Sequence, residues 1–246
     1  MKENGVTQKI DQIATPAARG TSQTTVFVLF DTSNRMYDSF PYAEDAVADF
    51  IRGLDPGDAV AVNSFSRNMA RLVTPTHDRE AAIAGLRKAV SGDDTALYDS
   101  MLLTLRDAED VEGSKVMVVF SNGPDNSSML APEDIRTFAE NEGVPIYVVS
   151  TEDRNAFANA AFNSLAGGTG GQTYFAPNWR REKTAFRSID DDLNNSYVIS
   201  YYPDPRGGSG YRQIGVEISG ARMQGYRVRA RAGYRPARAR RSPKSD

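Results

Sequence analysis

The sequence predicts an α/β fold with a mostly parallel central sheet and helices on both faces. Three observations carry that prediction. Val26-Phe27-Val28-Leu29-Phe30 is an unbroken apolar run, the pattern of a strand buried on both faces in a parallel sheet. Ala59-Val60-Ala61-Val62-Asn63-Ser64-Phe65, Lys115–Phe120 and Pro145–Ser150 read as further strands. Between such runs lie segments whose apolar residues recur at spacings of three and four, the period of a helix. Strands alternating with helices over 24–202 give a sheet covered on both sides.

In chain order, residues 5–13 alternate loosely and predict an edge strand. Residues 14–23 are small and polar and read as a linker. The central strand spans about 24–31, and a helix follows with Ala43, Val47, Phe50, Ile51 and Leu54 as its apolar stripe. Asp55-Pro56-Gly57-Asp58 is turn chemistry. After the strand Ala59–Phe65, Met69–Val73 predicts a short strand and Arg79–Val90 a helix. Leu97, Met101, Leu105 and Ala108 mark the next helix, and Glu133–Glu142 one that stops at Gly143. Residues 155–166 predict a helix, Gln172–Phe175 a short strand and Trp179–Asn195 a helix burying Phe186, Ile189 and Leu193. Ser196–Pro203 closes the α/β region as a strand. Tyr211–Ile218 and Tyr226–Ala232 alternate in period two and predict a hairpin with one wet face. The resulting organisation is an N-terminal edge strand and linker over 1–23, an α/β domain over 24–203, a β-hairpin over 204–236 and a disordered basic tail over 237–246.

Bulk properties bound the function. The 246 residues are 40% hydrophobic and 25% charged, an ordinary globular composition. No apolar run reaches the length that crosses a bilayer, and the polar N-terminus has no signal-peptide core. The absence of cysteine excludes disulfides, thiolate metal sites and cysteine nucleophiles. The net charge of −3 hides an asymmetry, because residues 221–246 carry nine Arg or Lys against Asp246 alone. An acidic body therefore bears a basic end. Such an end either seeks phosphates and anionic surfaces or forms a solvated face. Arg227, Arg229 and Arg231 lie at alternate positions and suit a nucleic-acid backbone, but the acidic body makes nucleic acid an unlikely partner.

Enzyme chemistry has little support. His77, the sole histidine, falls in a predicted loop with no nucleophile motif beside it, and no G-x-S-x-G elbow occurs. Gly167-Gly168-Thr169-Gly170-Gly171 follows a helix and enters a strand, the reverse of the order that phosphate loops need, and reads as a helix end and tight turn.

Polar clusters fall where strand ends should meet: Asp31-Thr32-Ser33-Asn34-Arg35, Asp94-Thr95 and Ser121-Asn122-Gly123. Asp31 and Ser33 carry oxygens two residues apart, which suits a hard cation or equally a helix cap or turn. Together the clusters resemble the metal-ion-dependent adhesion site of the von Willebrand factor A domain. That site joins a D-x-S-x-S loop, a threonine and a later aspartate around Mg²⁺, with a partner's carboxylate completing the shell. Asp31 matches the first aspartate, Ser33 the first serine and Thr95 the threonine; Thr95-Ala96-Leu97-Tyr98-Asp99 is similar to the T-A-L-Y-D of many bacterial members. Phe120–Ser128 resembles the family's T-D-G-x-D-N-S-S segment. Tyr197-x-Ile199-x-Tyr201-x-Pro203, Tyr211-Arg212 and Arg229-x-Arg231-x-Gly233-Tyr234 resemble the related proteins of acidobacteria, in which Asn4–Ile10 would end a preceding β region. Those proteins are usually exported, so the resemblance implies an envelope or exported protein if a leader precedes this chain, and otherwise a cytoplasmic one.

Two positions depart from the family pattern. Arg35 stands where the second serine should be, and Asn122 where the distal aspartate should be. A guanidinium accepts nothing and ligates no cation, so Asp31, Ser33, Thr95 and Asn122 are expected to bind Mg²⁺ weakly or not at all. Arg35, held by Asp31 or Asp94, would instead offer a bidentate fork to the carboxylate of a protein partner, with Tyr37 and Tyr98 as apolar contacts. The expected function is a non-enzymatic interaction or adhesion module.

Overall fold

The computed structural model describes residues 1–14, 24–33, 40–123, 125–151, 156–176, 178–204, 210–220 and 226–236. The predicted linker and the basic tail beyond 236 lie outside them. The chain opens with β1 (Lys2–Glu3), β2 (Val6–Thr7) and β3 (Ile10–Ala14), then β4 (Thr24–Asp31) and α1 (Phe40–Gly53). Next come β5 (Ala59–Phe65), β6 (Met69–Thr76), α2 (Arg79–Leu86), α3 (Leu97–Glu109) and β7 (Ser114–Ser121). The rest is α4 (Pro132–Glu142), β8 (Ile146–Ser150), α5 (Ala156–Thr169), β9 (Thr173–Phe175), α6 (Trp179–Asn194), β10 (Val198–Tyr201), β11 (Arg212–Gly215) and β12 (Gly233–Tyr234).

The central sheet has the order β6-β5-β4-β7-β8-β9, parallel throughout except for the antiparallel edge pair β5–β6. Its middle strands need apolar side chains on both faces, and β4 shows why. Val26, Val28 and Phe30 enter a core packed with α1, α2 and α6, while Leu29 faces Leu97, Met101 and Leu105 of α3 on the other side. Phe30, Phe120, Phe186 and Phe50 form a chain of ring contacts that ties β4 and β7 to α6 and α1. The predicted α/β class is the observed one. Among the described residues no helix is long and apolar enough to cross a membrane.

Four local expectations are corrected. The loose edge strand over 5–13 is instead a β1–β2 hairpin followed by β3. Asn4 and Gly5 both have positive φ, 48° and 80°, as a two-residue type I′ turn requires. The helix starting at Arg79 ends at Leu86 rather than Val90. The strand at 198–201 stays out of the central sheet and pairs antiparallel with β3; its alternation fits either partner equally well. Finally, residues 226–232 are not a strand, so the predicted hairpin partner is absent. β11 pairs instead with β1 on one side and β12 on the other.

That appendage closes on one buried group. Glu3 Oε1 accepts from Arg212 Nη1 at 3.0 Å, and Glu3 Oε2 accepts from the hydroxyls of Tyr201 at 2.6 Å and Tyr234 at 2.9 Å. Burial opposes ionisation of Glu3, but the two hydroxyls and the guanidinium outweigh it and hold the carboxyl below its ordinary 4.5. Strand residues from both ends of the chain thus meet at a single carboxylate.

Residues 226–232 form a strap across the amino-terminal pole of the central sheet. Arg231 Nη1 donates to the Glu140 carbonyl near the end of α4 at 2.9 Å. Arg229 pairs with Asp192 near the end of α6 and bonds the Gln172 side chain. The Ala232 N–H donates to the Gly168 carbonyl at the end of α5 at 2.7 Å. Cations are favoured at helix C-termini, where unpaired carbonyls carry partial negative charge. Two of the arginines that suited a nucleic-acid backbone are therefore engaged by the body of the protein.

Candidate functional site

The chain runs from β4 outward to β5 and β6, then crosses back to β7 on the other side of β4. The crevice beyond the carboxyl ends of β4 and β7 is therefore the topological switch point, where open α/β sheets bind ligands. Asp31 closes β4 and Ser121 closes β7, and the Ser121 hydroxyl donates to Asp31 Oδ2 at 2.6 Å. Asp31 Oδ1 accepts the Ser33 N–H at 2.8 Å, the self-bonded turn that Asp favours. The turn-shaping role weighed for Asp31 is thus present. Asp31 and Ser33 are buried, and Ser33 Oγ has no hydrogen-bond partner among the described residues.

The second loop is fixed to the first through the backbone. The Gly92 N–H donates to the Thr32 carbonyl at 2.9 Å, and Ser33 and Gly92 form a parallel bridge. A side chain at residue 92 would put its Cβ 2.2 Å from Ser66 Oγ, so only glycine lets the loops come this close. Buried Thr95 follows three residues later. Its N–H donates to Asn126 Oδ1 at 2.8 Å, and its carbonyl accepts from the Asn126 and Ser127 N–H groups.

The third loop clasps the start of α3. Ala96, the residue before the helix, provides no side-chain cap. Asp125 Oδ2 instead accepts the Leu97 and Tyr98 N–H groups at 2.7 and 3.2 Å, and Ser128 Oγ accepts that of Asp99 at 3.0 Å. Asp99 reciprocates by accepting the Met129 and Leu130 N–H groups at 3.1–3.2 Å. A carboxylate at this position satisfies orphan N–H groups and complements the positive end of the helix dipole. The sequence places Asp99, Asp125 and Asn126 on loops expected to form the binding crest but does not point to capping; the run of cap-forming residues Asp125-Asn126-Ser127-Ser128 is the available signal.

The predicted site residues fare differently. Asp31, Ser33 and Thr95 lie on loops bonded to one another, and Asn122 follows Ser121 on the β7 loop. Asp94 is half-buried and faces Arg67 at 3.5 Å, a cation on the β5–β6 turn that the sequence did not point to. Tyr98 joins the core of its face, and burial, helped by the nearby Asp125 charge, pushes its hydroxyl up to about 12. Arg35 and Tyr37 fall outside the described residues. Among those described, no group of three or more His, Cys, Asp or Glu is placed to hold a metal ion. Hard divalent cations favour carboxylate oxygens. The crest offers Asp31, with each oxygen already accepting a hydrogen bond, and neutral groups from Ser33, Thr95 and Asn122. That set fits Mg²⁺ poorly.

Comparison with known proteins agrees with the fold. Residues 25–124 match the sequence profile of the von Willebrand factor type A domain. A UPF0353 protein of Mycolicibacterium paratuberculosis is 26% identical over 199 residues, covering 71% of this chain and 59% of that protein. This chain therefore spans less than two thirds of that curated relative. The conserved hypothetical protein BatB from Bacteroides thetaiotaomicron superposes with a TM-score of 0.57 at 18% identity, over 69% of this chain and 97% of that one. The vWF domain of the type V pili tip protein Mfa5 from Porphyromonas gingivalis gives 0.60 at 13% identity, over 70% and 95%. At such identities the likeness establishes the fold.

Proposed function

We propose that this von Willebrand factor A-type domain is a non-enzymatic protein-interaction module that takes its partner at the carboxyl-end crest without relying on a divalent ion. The observation that carries the reading is the bonding of residues 31–33, 92–95, 121–123 and 125–128 into one rim, with the Ser33 hydroxyl buried and unpartnered among the described residues beside Asp31. A type V pili tip protein carries a domain of this fold, which supports an adhesive role. His77, the sole histidine, bonds the Asp58 carbonyl just before β5, at the pole away from the crest, and this supports a non-catalytic reading. In this proposal Arg35 supplies the positive charge that a metal would supply, offering paired N–H donors to a partner carboxylate, and Asp94 and Tyr37 border the contact.

Calorimetric titration with Mg²⁺ and Mn²⁺ tests the metal-independent part. The native protein is expected to show no tight binding, and Arg35→Ser combined with Asn122→Asp is expected to gain it. Tight binding by the native protein overturns this part of the reading. Asp31→Ala and Thr95→Ala are expected to abolish partner capture while circular dichroism stays native; a loss of folding in both would assign these residues to structure alone.

A further inference from the structure

The glycine-rich segment that ends α5 leaves one residue unexplained. A Cβ at Gly168 would lie 2.6 Å from Arg136 Cδ, one at Gly170 2.9 Å from the strap backbone at Ala230 and Arg231, and one at Gly171 2.0 Å from the Ile146 carbonyl oxygen. Gly168 packs against the Arg136 and Glu140 side chains, and Gly170 and Gly171 are required by a close approach of backbone. Gly167 is not: a Cβ there meets nothing within 4 Å, and the residue lies inside α5, where glycine is less favourable than alanine. Gly167 instead lines a cleft of about 460 Å³, together with Asn163, Ala166, Gln172, Thr173 and strap residues 227–230. That volume lies in the range of ligand sites.

The walls of the cleft indicate what fills it. On one side is the start of β9, the last strand in the sheet order, with no further strand beyond it among the described residues. On the other is the strap, whose residues 226–231 make no backbone-to-backbone hydrogen bond among the described residues. Thr173 Oγ1 is buried in the lining without a partner among the described residues. An edge strand and a strap whose backbone groups have no backbone partner among the described residues, separated by a cleft lined by Gly167 and Ala166, suit strand addition by a peptide. Arg227 and Arg229 both line the cleft, and only Arg229 is engaged by a described carboxylate, Asp192.

We infer that the cleft between the strap and β9 binds an extended, acidic peptide segment of a partner protein, adding it as a strand at the sheet edge. The site lies at the pole opposite the crest, shares no residue with it, and stands or falls independently of the proposed crest function.

Fluorescence anisotropy on the full chain tests this with labelled Ac-Glu-Val-Glu-Val-Glu-NH2. Its basic counterpart, with Lys for Glu, and a version with Pro for both Val serve as controls. The acidic peptide is expected to bind saturably, with the two controls at least tenfold weaker. Gly167→Phe places a ring in the cleft from a Cβ position with nothing within 4 Å, and Arg227→Glu reverses a wall charge. Each is expected to weaken the acidic peptide at least tenfold while thermal unfolding stays at or above that of the native chain. No saturable binding, equal binding of the proline peptide, or native affinity in Gly167→Phe would overturn the inference.

Discussion

The two poles of the central sheet are held together by opposite chemistry. At the crest, where helices begin, carboxylates accept backbone N–H groups: Asp31 from Ser33, Asp125 from Leu97 and Tyr98, Asp99 from Met129 and Leu130. At the other pole, where α4, α5 and α6 end, the strap supplies cations: Arg231 bonds the Glu140 carbonyl and Arg229 pairs with Asp192. Each pole carries the charge its helix ends attract. The basic C-terminal region of an otherwise acidic chain is thus, in part, a set of helix C-terminal partners, placed where the parallel sheet lines those ends up. The difference also separates the poles functionally. The crest is closed by short hydrogen bonds between loops, whereas the strap is tied at a few points and leaves a cleft beneath it.

The contrast is broken most severely in the appendage beside the strap. Arg212→Ala leaves Glu3 buried with only two tyrosine hydroxyls, and truncating one partner of a buried pair costs about 3–5 kcal/mol; chemical denaturation measures it. Because the native Glu3 carboxyl is held below its ordinary 4.5, its stabilising contribution is complete above that value and disappears as pH falls through the lowered one. Acid melts that follow loss of the appendage are expected to show this in the native chain and not in Glu3→Gln.

Glu182 sharpens the comparison as the acid at a helix start that is not used as a cap. It is 3% exposed with one oxygen lacking any partner, and burial pushes its carboxyl up to about 7. The folded state therefore holds this proton more tightly than the unfolded chain. Stability falls as pH rises from about 4.5 through about 7 and then levels off, a penalty of up to about 3 kcal/mol. Glu182→Gln is expected to raise the melting temperature at pH 8 and to leave it nearly unchanged at pH 5.

Smaller effects follow at the two sets of helix ends. Asp125→Ala uncaps α3 and is expected to cost about 1–2 kcal/mol. Hydrogen exchange should show the loss first at the Leu97 and Tyr98 amides. Arg231→Ala removes one helix-end cation and is expected to cost about 0.3–1 kcal/mol, an effect that shrinks as salt is added. If Arg231→Ala costs more than Asp125→Ala in the same melts, the strap rather than the crest is the better-anchored pole.

The sequence made the buried strands legible because a strand covered on both faces has no freedom to be polar, and 26–30 and 116–120 have no alternative use. It made the rim of the crest legible as well, through Asp31, Ser33 and Thr95. What it did not make legible was pairing at a distance. Tyr201 alternates with its neighbours whichever strand it joins, and only the position of Ile10 in space decides. Arg227, Arg229 and Arg231 alternate as a strand would, yet two of these three answer to the ends of α4 and α6. Asp125 acts on a helix that starts far upstream of it, and no local pattern announces that.

One consequence follows from Glu3. Trimming the chain to its sheet-and-helix body at residue 24 would remove the acceptor shared by Arg212, Tyr201 and Tyr234 and the only described neighbour of β10. A clone designed around the body alone would carry a buried guanidinium that has lost its Glu3 carboxylate and an unzipped ribbon, and would be expected to clump; the first fourteen residues belong in any expression plasmid.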